Sequence, residues 1–154
     1  LENTLIKCSE ISAESIPLSL LLLADPSEIK VRDYLVAATC FGAHIDDEIV
    51  GTCVININID GEVELFNIAS LPSIQGQGVG TALLGFVIAE LGMRKVAKFV
   101  LGTGTFGYQL RFYQRFGFRV ENVVKDYFLD NYDKPIYEDG LQHYDMLRLA
   151  LNIK

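Results

Sequence analysis

A glycine-rich turn in the middle of the chain has the residue types and spacing of an anion-binding site. Gly76, Gly78 and Gly80 stand at alternate positions after Pro72, and a helical apolar pattern follows them. Such a turn leaves backbone N–H groups unpaired at a helix N-terminus, where the helix dipole also favours negative charge. Because residues 65–89 carry no charged side chain, backbone donors would have to hold the anion. The turn therefore predicts a phosphate-bearing ligand.

A second glycine motif, at residues 102–107, has the G-x-G-x-x-G spacing of a dinucleotide-binding turn. Glu121 lies 19 positions after Gly102, where a ribose-binding acid would stand. Three features weigh against this interpretation. Roughly fifty residues follow the motif, too few for a doubly wound sheet. The preceding strands form a meander, and the next helix is short and aromatic. A nicotinamide-dependent oxidoreductase is therefore the third-ranked function.

The elements that must position these turns follow from hydrophobic periodicity and turn residues. Strands are predicted at 5–8, 34–42, 48–59, 62–71, 98–101, 118–124 and 142–151, helices at 18–23, 28–35, 79–92 and 107–116, and a loop at 125–140. The first helix would be capped near Ser15, and Gly117 stands where a C-cap glycine belongs. Short turns at 44–47 and 60–61 make the first half an antiparallel meander. The second half alternates strands and helices, which predicts a mixed α/β sheet with helices on its faces.

The composition limits the class of partner. The 154 residues suffice for one domain, residues 1–154, with a substantial core. The net charge is −7, which argues against nucleic acid, because nucleic acid is bound by basic surfaces. The same charge mildly favours a cationic substrate through long-range attraction, although an ordinary acidic protein shows it too.

The cysteines indicate a compartment. Cys8, Cys40 and Cys53 are odd in number and lack metal-ligand spacing. They are expected to be buried thiols in a reducing environment, so we expect a cytoplasmic protein with no metal site. The apolar stretch 16–24 contains Pro17 and is too short to span a bilayer, so no membrane association is expected.

Two motifs together resemble the GNAT N-acetyltransferase superfamily. The pattern Gln75-x-x-Gly78-x-Gly80, between an antiparallel strand and a long helix, resembles the turn with which that family binds the pyrophosphate of acetyl-CoA. Residues 112–118 resemble the segment that ends the family's fourth helix, and residues 67–72 resemble its fourth strand and exit. The resemblance implies the acyl-CoA acyltransferase fold, with an antiparallel N-terminal meander, parallel central strands splayed for CoA, and helices on both faces.

The resemblance also implies the co-substrate and its contacts. Acetyl-CoA would be bound without a metal, its pantetheine arm along the backbone of the fourth strand. The implied cofactor-binding residues are Ile68, Ala69, Ser70, Gln75, Gly76, Gln77, Gly78, Val79, Gly80, Thr81 and Thr105. Two of them depart from the family. Gln77 stands where a basic residue is frequent, and Thr105 lies where an asparagine often contacts the cofactor.

The implied reaction is direct transfer of an acetyl group to a primary amine in a ternary complex. The amine would belong to a small molecule, a lysine or a protein N-terminus. A lysine-like ammonium is neutral in only about one part in 10³ at pH 7, so a base must accept its proton. Glu64 is the candidate base, and a solvated carboxylate with waters acting instead is the alternative. Tyr113 is the candidate acid that protonates the leaving thiolate, and a core tyrosine is the alternative.

Several points stay open at this stage. A non-catalytic acyl-CoA sensor is the second-ranked function, because the family's asparagine is missing. His143 is a weaker catalytic candidate, since a surface or packed histidine is the commoner case. The acidic and aromatic segment 126–139 is either a rim for a cationic amine or a polar surface loop. Dimers are common in the family, so a homodimer is allowed for.

Overall fold

The computed structural model describes residues 5–58 and 60–153. Their contacts define two units, the first running to Ala97 and including Ile153, and the second comprising Lys98–Asn152. The elements of the first unit are β1 (Lys7–Ile11), α1 (Leu18–Ala24), α2 (Glu28–Leu35), β2 (Thr39–Ile45), β3 (Glu48–Ile57), β4 (Val63–Ser70) and α3 (Val79–Met93). Those of the second are β5 (Lys98–Gly104), α4 (Tyr108–Arg115), β6 (Arg119–Val124), α5 (Tyr127–Asn131), β7 (Tyr137–Glu138), β8 (Leu141–Gln142) and β9 (Met146–Asn152).

The first unit contains the predicted antiparallel meander. Strands β1, β2, β3 and β4 lie side by side in that order, each antiparallel to the next. Asp46 and Asp47 turn between β2 and β3 with φ of 50° and 68°, and Gly61 turns between β3 and β4 with φ of 86°. Short polar residues and glycine tolerate such left-handed angles best, so the sequence selects tight hairpins here.

A bulge interrupts the pairing of β3 with β4. Val54 lies opposite Asn67 and Ile55 opposite Leu65, so Phe66 is an extra residue in β4. Phe66 packs with the core beneath α1 and α2, and the Asn67 side chain reaches Leu21 of α1. Two consecutive residues of β4 therefore face the same helices, which a regular strand does not allow.

Helices cover the two faces of this meander. On one face, α1 and α2 bury a cluster made of Ile16, Leu21, Val31, Cys40 and Val54. On the other face α3 packs so closely that a Cβ at Gly51 would lie 2.8 Å from Cγ1 of Val79. Glycine at position 51 therefore allows α3 to approach the strand, and that contact fixes the start of the helix.

The second unit has β9 between β5 and β6, antiparallel to both. Aromatic rings fill its interior, with the centroids of Phe99 and Phe118 5.6 Å apart and those of Tyr113 and Phe118 5.8 Å apart. Gly117 ends α4 with φ of 99°, and the Phe118 N–H donates to the Tyr113 carbonyl at 3.3 Å. The predicted C-cap glycine is confirmed.

Two predicted elements were wrong. The strand expected from Tyr34 begins only at Thr39, because Ser27 caps α2 by accepting from the Lys30 N–H at 3.2 Å and the helix runs to Leu35. The loop expected at 125–140 contains α5 and β7, and β7 pairs with β8, which lies just beyond it at Leu141–Gln142.

Other predicted boundaries shift by a few residues. The first strand is Lys7–Ile11, the first helix has Pro17 rather than Ser15 as its N-cap, and the last strand starts at Met146 rather than 142. The expected end of the third strand at Ile59 lies outside the described residues. Within the described ranges, no helix is both long enough and apolar enough to cross a bilayer.

Candidate active site

The glycine turn has the geometry that anion binding requires. One helical turn, Pro72–Ile74, follows β4, and Gly76 and Gly78 then adopt φ of 84° and 86° before α3 begins at Val79. A Cβ at either glycine would have no heavy atom within 4 Å. The backbone angle, rather than crowding, therefore selects glycine, and open space lies beside the turn.

Backbone donors converge at this turn. The first intrahelical bond of α3 runs from the Ala82 N–H to the Gly78 carbonyl at 2.9 Å. The amides of Gly78, Val79, Gly80 and Thr81 precede that bond, so none of them has an acceptor within the helix. Four N–H groups without an intrahelical acceptor and the helix dipole make the start of α3 favourable for an anion, and the binding of a phosphate there stays a prediction.

The glutamines of the turn differ in their roles. The Gln77 N–H donates to the Ile74 carbonyl at 3.3 Å, so this amide closes the turn and is occupied. The Gln75 side chain lies 3.5 Å from the Ser70 carbonyl and links the turn to the end of β4. The exposed Gln77 side chain remains available for a ligand.

Ile68, Ala69 and Ser70 form the last part of β4. They lie opposite Cys53, Thr52 and Gly51 of β3 respectively. Ala69 is buried and the other two are half-buried. Their predicted contact with a pantetheine arm stays a prediction.

A buried polar network that sequence reasoning missed joins β4 to α1 and α2. The Asn67 Nδ2 donates to the Leu21 carbonyl at 2.9 Å and to the Tyr34 hydroxyl at 3.0 Å. The Tyr34 hydroxyl donates to Oδ2 of Asp25 at 3.2 Å. Burial raises the pKa of Tyr34 well above its usual range, so the hydroxyl stays protonated. An asparagine within an apolar strand was the one signal in the sequence that could have indicated this network.

Two buried oxygens beside this network lack a partner among the described residues. They are Oδ1 of Asn67 and Oγ1 of Thr52. Thr52 lies opposite Ala69, two residues along from Asn67, on the same face of the sheet. An unpaired buried polar atom is costly and uncommon, which makes this pair a distinctive feature of the face covered by α1 and α2.

Glu64 lies on this same face. It is half-buried on β4, opposite Asn56, whose side chain donates to the Tyr34 carbonyl at 3.0 Å. The bulge at Phe66 brings Glu64 and Asn67 to one side of the strand, although simple alternation would separate them. The predicted base is therefore a semi-enclosed carboxylate next to a polar network, and its role stays a prediction.

In the second unit, Tyr113 is buried in α4, with 3% of its surface exposed. Its ring centroid lies 5.4 Å from that of Phe112. This packing fits both the acid role and the core-tyrosine alternative, so the proposed role stays a prediction. Thr105 is exposed in the turn between β5 and α4.

The second glycine motif has a packing explanation. A Cβ at Gly102 would collide with Met146, and one at Gly104 would collide with the ring of His143. Glycine at these two positions of β5 lets His143, which precedes β9, and Met146, which begins it, pack against β5. This structural requirement is unrelated to a dinucleotide. His143 itself is buried, with 6% of its surface exposed, and precedes β9 rather than opening it.

The three cysteines differ in burial. Cys40 and Cys53 are buried, and burial raises the pKa of Cys40 to about 11 and that of Cys53 still further. Cys40 lies opposite Val54, the neighbour of Cys53, so the two thiols point to opposite faces of the sheet. Cys8 is half-buried rather than buried. Within 5–58 and 60–153, no three His, Cys, Asp or Glu residues converge as a metal site would require.

Comparison with known proteins identifies the family. The sequence model of the acetyltransferase (GNAT) domain matches residues 37–120. The uncharacterized N-acetyltransferase YvbK of Bacillus subtilis strain 168 is 38% identical over 135 residues, which cover 87% of each chain. The chain therefore belongs to the GNAT acetyltransferases, and the protein is an acyltransferase.

Solved structures agree with this assignment. The IAA acetyltransferase from Bacillus cereus ATCC 14579 has a TM-score of 0.89 and 34% identity, covering 96% of this chain and 99% of that one. A GNAT family acetyltransferase from Elizabethkingia anophelis with acetyl-CoA bound has a TM-score of 0.87 and 36% identity, covering 96% and 97%. The predicted α/β acyltransferase fold is confirmed.

Proposed function

We propose that the protein is an N-acetyltransferase that moves the acetyl group of acetyl-CoA to a primary amine. The observation that carries this proposal is the turn at Gly76 and Gly78, whose left-handed backbone leads into α3 with open space beside both glycines. A relative that is 36% identical binds acetyl-CoA. Residues 1–154 would then make up one acetyltransferase domain, and acetyl-CoA is its co-substrate.

The pyrophosphate of acetyl-CoA is assigned to the turn itself. The amides of Gly76, Gly78, Val79, Gly80 and Thr81 would donate to its oxygens, as helix N-termini do for phosphates. Hydrogen bonds from neutral donors to a charged group are strong enough for this without a cation. The Gln77 side chain would add a neutral donor where a basic residue is frequent in the family.

The rest of the co-substrate is assigned to backbone groups and one hydroxyl. Ile68, Ala69 and Ser70 would bind the pantetheine arm as an added strand, through main-chain groups. Thr105 would supply the contact that an asparagine often makes in the family. An N–H of the β4 segment would hold the acetyl carbonyl as negative charge develops on its oxygen.

Glu64 is proposed to accept the proton of the acceptor ammonium. Deprotonating a lysine-like amine at pH 7 costs about 4.6 kcal/mol, so a nearby carboxylate or a carboxylate-bound water speeds the reaction. Its half-buried position opposite Asn56 supports this role, because a fully solvated carboxylate would offer no fixed direction.

Tyr113 is proposed to protonate the thiolate of CoA as it leaves. The thioester carbon is attacked by the neutral amine, the carbon–sulfur bond breaks, and the sulfur takes the proton of the phenol. The nitrogen that has bonded to the acetyl carbon then carries one proton too many and loses it to solvent, and Tyr113 regains a proton from the same solvent. Its fixed ring among Phe112 and Phe118 supports a set orientation of the hydroxyl.

The acceptor is proposed to be a cationic amine. The net charge of −7 and the acidic residues of the 126–139 segment favour its approach. We also propose a cytoplasmic location, which suits three cysteines outside any disulfide. A homodimer would be tested by light scattering during gel filtration.

The experiment combines binding with turnover. A thermal-shift panel of acetyl-CoA, CoA and NADPH should show stabilisation by the first two only, since ligand at 100 times its Kd stabilises by about 2.7 kcal/mol. Thiol release from acetyl-CoA with a panel of amines should then identify an acceptor. Stabilisation by NADPH would favour the oxidoreductase, and CoA binding without turnover of any amine would favour the sensor.

A matched pair of glycine variants tests the binding site. Gly78 and Gly61 share φ of 86° and open surroundings, but only Gly78 lies in the phosphate turn. Gly78→Asp should abolish stabilisation by CoA, because it places a carboxylate beside the phosphates. Gly61→Asp should retain it, and equal loss in both variants would contradict the assignment.

A further inference from the structure

Glu138, a residue of β7, caps the helix that carries Tyr113. Oε2 of Glu138 accepts the Tyr108 N–H, the first amide of α4, at 3.2 Å. Oε1 of the same carboxylate lies 2.9 Å from Nε2 of His143. A carboxylate can only accept, so Nε2 carries the proton. Glu138 therefore bridges the start of α4 and a buried histidine.

The backbone of the β5–α4 turn is shaped to admit this pair. Gly107 has φ of 109° and ψ of −178°, a combination that only glycine adopts readily. A Cβ at Gly107 would collide with the Glu138 carboxylate, and one at Gly104 would collide with the His143 ring. Gly104 and Gly107 of the second glycine motif thus mark the places where His143 and Glu138 fit.

The His143 ring is held by stacking and by the contact of its Nε2 with Glu138, while its Nδ1 is buried without a hydrogen-bond partner among the described residues. Its ring stacks on Phe106 at 4.1 Å with 8° between the planes, and its centroid lies 5.4 Å from that of Phe128. Its backbone N–H donates to the Ile136 carbonyl at 2.8 Å. A ring fixed in this way holds the Glu138 carboxylate in one orientation, so the bond to Tyr108 is preorganised.

We propose that Glu138 and His143 are positioning residues of the acetyl transfer. They fix the turn that holds Thr105 and the first turn of α4, and through the helix they set the position of Tyr113. A carboxylate at a helix N-terminus also interacts favourably with the helix dipole. This inference rests on the proposed function, because Glu138 and His143 can affect catalysis only if Thr105 and Tyr113 have their proposed roles.

The test uses three variants and a control. Glu138→Ala removes the cap, Glu138→Gln keeps an oxygen that can accept the Tyr108 N–H, and His143→Phe keeps the ring stack but loses the bond to Glu138. Glu121→Ala removes another carboxylate of the same unit, which pairs with Lys98 at the surface. Hydrogen exchange of the amides of residues 108–111 and kcat/KM for acetyl-CoA are measured for all four.

Glu138→Ala should lower kcat/KM about tenfold and speed exchange at Tyr108 by a similar factor, the size expected for a lost helix cap. Glu138→Gln should restore most of both, and His143→Phe should fall between them. Glu121→Ala should match the parent in both measurements. A merely structural role would instead lower the melting temperature while leaving kcat/KM of the folded fraction unchanged.

Three outcomes would overturn the proposal. One is unchanged exchange at Tyr108 in Glu138→Ala, and another is kinetics of that variant equal to those of Glu121→Ala. The third is a loss in Glu138→Gln as large as in Glu138→Ala, since charge rather than position would then matter. If the parent acetylates no amine, the proposed function fails, and the exchange data alone still decide whether the pair fixes the helix start.

Discussion

Two buried polar side chains of the first unit, those of Asn67 and Thr52, differ in their hydrogen bonding. Asn67 uses both of its amide hydrogens to bind α1 and the α2 tyrosine, Tyr34. Its carbonyl oxygen and the hydroxyl of Thr52 are left without partners among the described residues. The stability of the protein should therefore respond in opposite ways to apolar substitution of Asn67 and of Thr52. The Asn67 side chain donates two hydrogen bonds, whereas the Thr52 hydroxyl makes none among the described residues.

Thr52→Val should leave stability unchanged or raise it by up to about 1 kcal/mol, because the replacement has the same shape and removes an unpaired hydroxyl. Asn67→Leu should lower it by about 1–3 kcal/mol, because it leaves the Leu21 carbonyl and the Tyr34 hydroxyl short of a donor. Urea unfolding of both variants measures the contrast. Clear destabilisation by Thr52→Val would show instead that a bound water pairs the hydroxyl.

The stability of Tyr34→Phe should change less with pH in the alkaline range than the stability of the parent does. The pKa of Tyr34 is raised in the folded state, so its contribution is fully present below the unfolded-state value of about 10 and is lost as pH rises above it. At pH 7 the variant should be about 1–2 kcal/mol less stable, since the bond to Asp25 is gone. Unfolding midpoints between pH 7 and 11 measure the difference, and parallel pH curves would count against it.

At the scale of elements, the two ends of residues 125–145, which contain α5, β7 and β8, are joined by hydrogen bonds of Asp145. Its Oδ1 accepts the Asp126 N–H at 2.8 Å, and its Oδ2 lies 3.0 Å from Nζ of Lys125. Asp126 itself adopts φ of 62° at the start of α5. These two bonds hold the pKa of Asp145 below its usual range.

Asp145→Asn should therefore flatten the acid side of the stability curve. A lowered pKa contributes stability above the unfolded-state value of about 3.9, and that contribution is lost as pH falls through the lower folded-state value. The variant should be less stable than the parent at pH 7 and converge with it below about pH 3. Melting temperatures across this range provide the measurement, with the exposed Asp133→Asn as control. A constant gap at all pH values would contradict the assignment.

Elements that depend on neighbours in sequence were predictable, and those that depend on distant partners were not. Helix α2 was placed correctly at 28–35, and the glycine turn before α3 was recognised, because caps and glycines act locally. The strand predicted from Tyr34 started too early because α2 runs to Leu35, so Tyr34 is helical, and its ring stacks on Phe66 of β4 at 5.0 Å.

The site shows the same division. The glycine turn before α3 could be derived from three glycines at alternate positions, and its role in binding phosphate stays a prediction. The network at Asn67 could not, because its partners Leu21 and Tyr34 lie 46 and 33 residues away. The purpose of Gly104 and Gly107 was equally hidden, since His143 and Glu138 are remote in sequence and only the fold brings them to the turn.

At the scale of the whole molecule, the net charge of −7 should influence how fast a cationic acceptor arrives. Attraction at distances beyond direct contact is screened within a Debye length of about 10 Å at 0.1 M salt. We expect kcat/KM for an alkyl ammonium acceptor to fall on the order of threefold between low and physiological ionic strength. An aromatic amine, neutral at pH 7, is the control. If kcat/KM falls equally for both amines, the salt effect acts on the binding of acetyl-CoA instead.

The bulge at Phe66 has a consequence for how this strand tolerates change in length. Val54 and Ile55 already pair with Asn67 and Leu65, so a chain lacking Phe66 would retain every other pairing of β4 with β3. In terms of chain length, Phe66 is one residue more than the pairing with β3 needs, and β4 holds it without turning the residues on either side to the other face. Its loss would remove one aromatic ring and one peptide unit, while Glu64, Asn67 and Ser70 would keep the faces they occupy now.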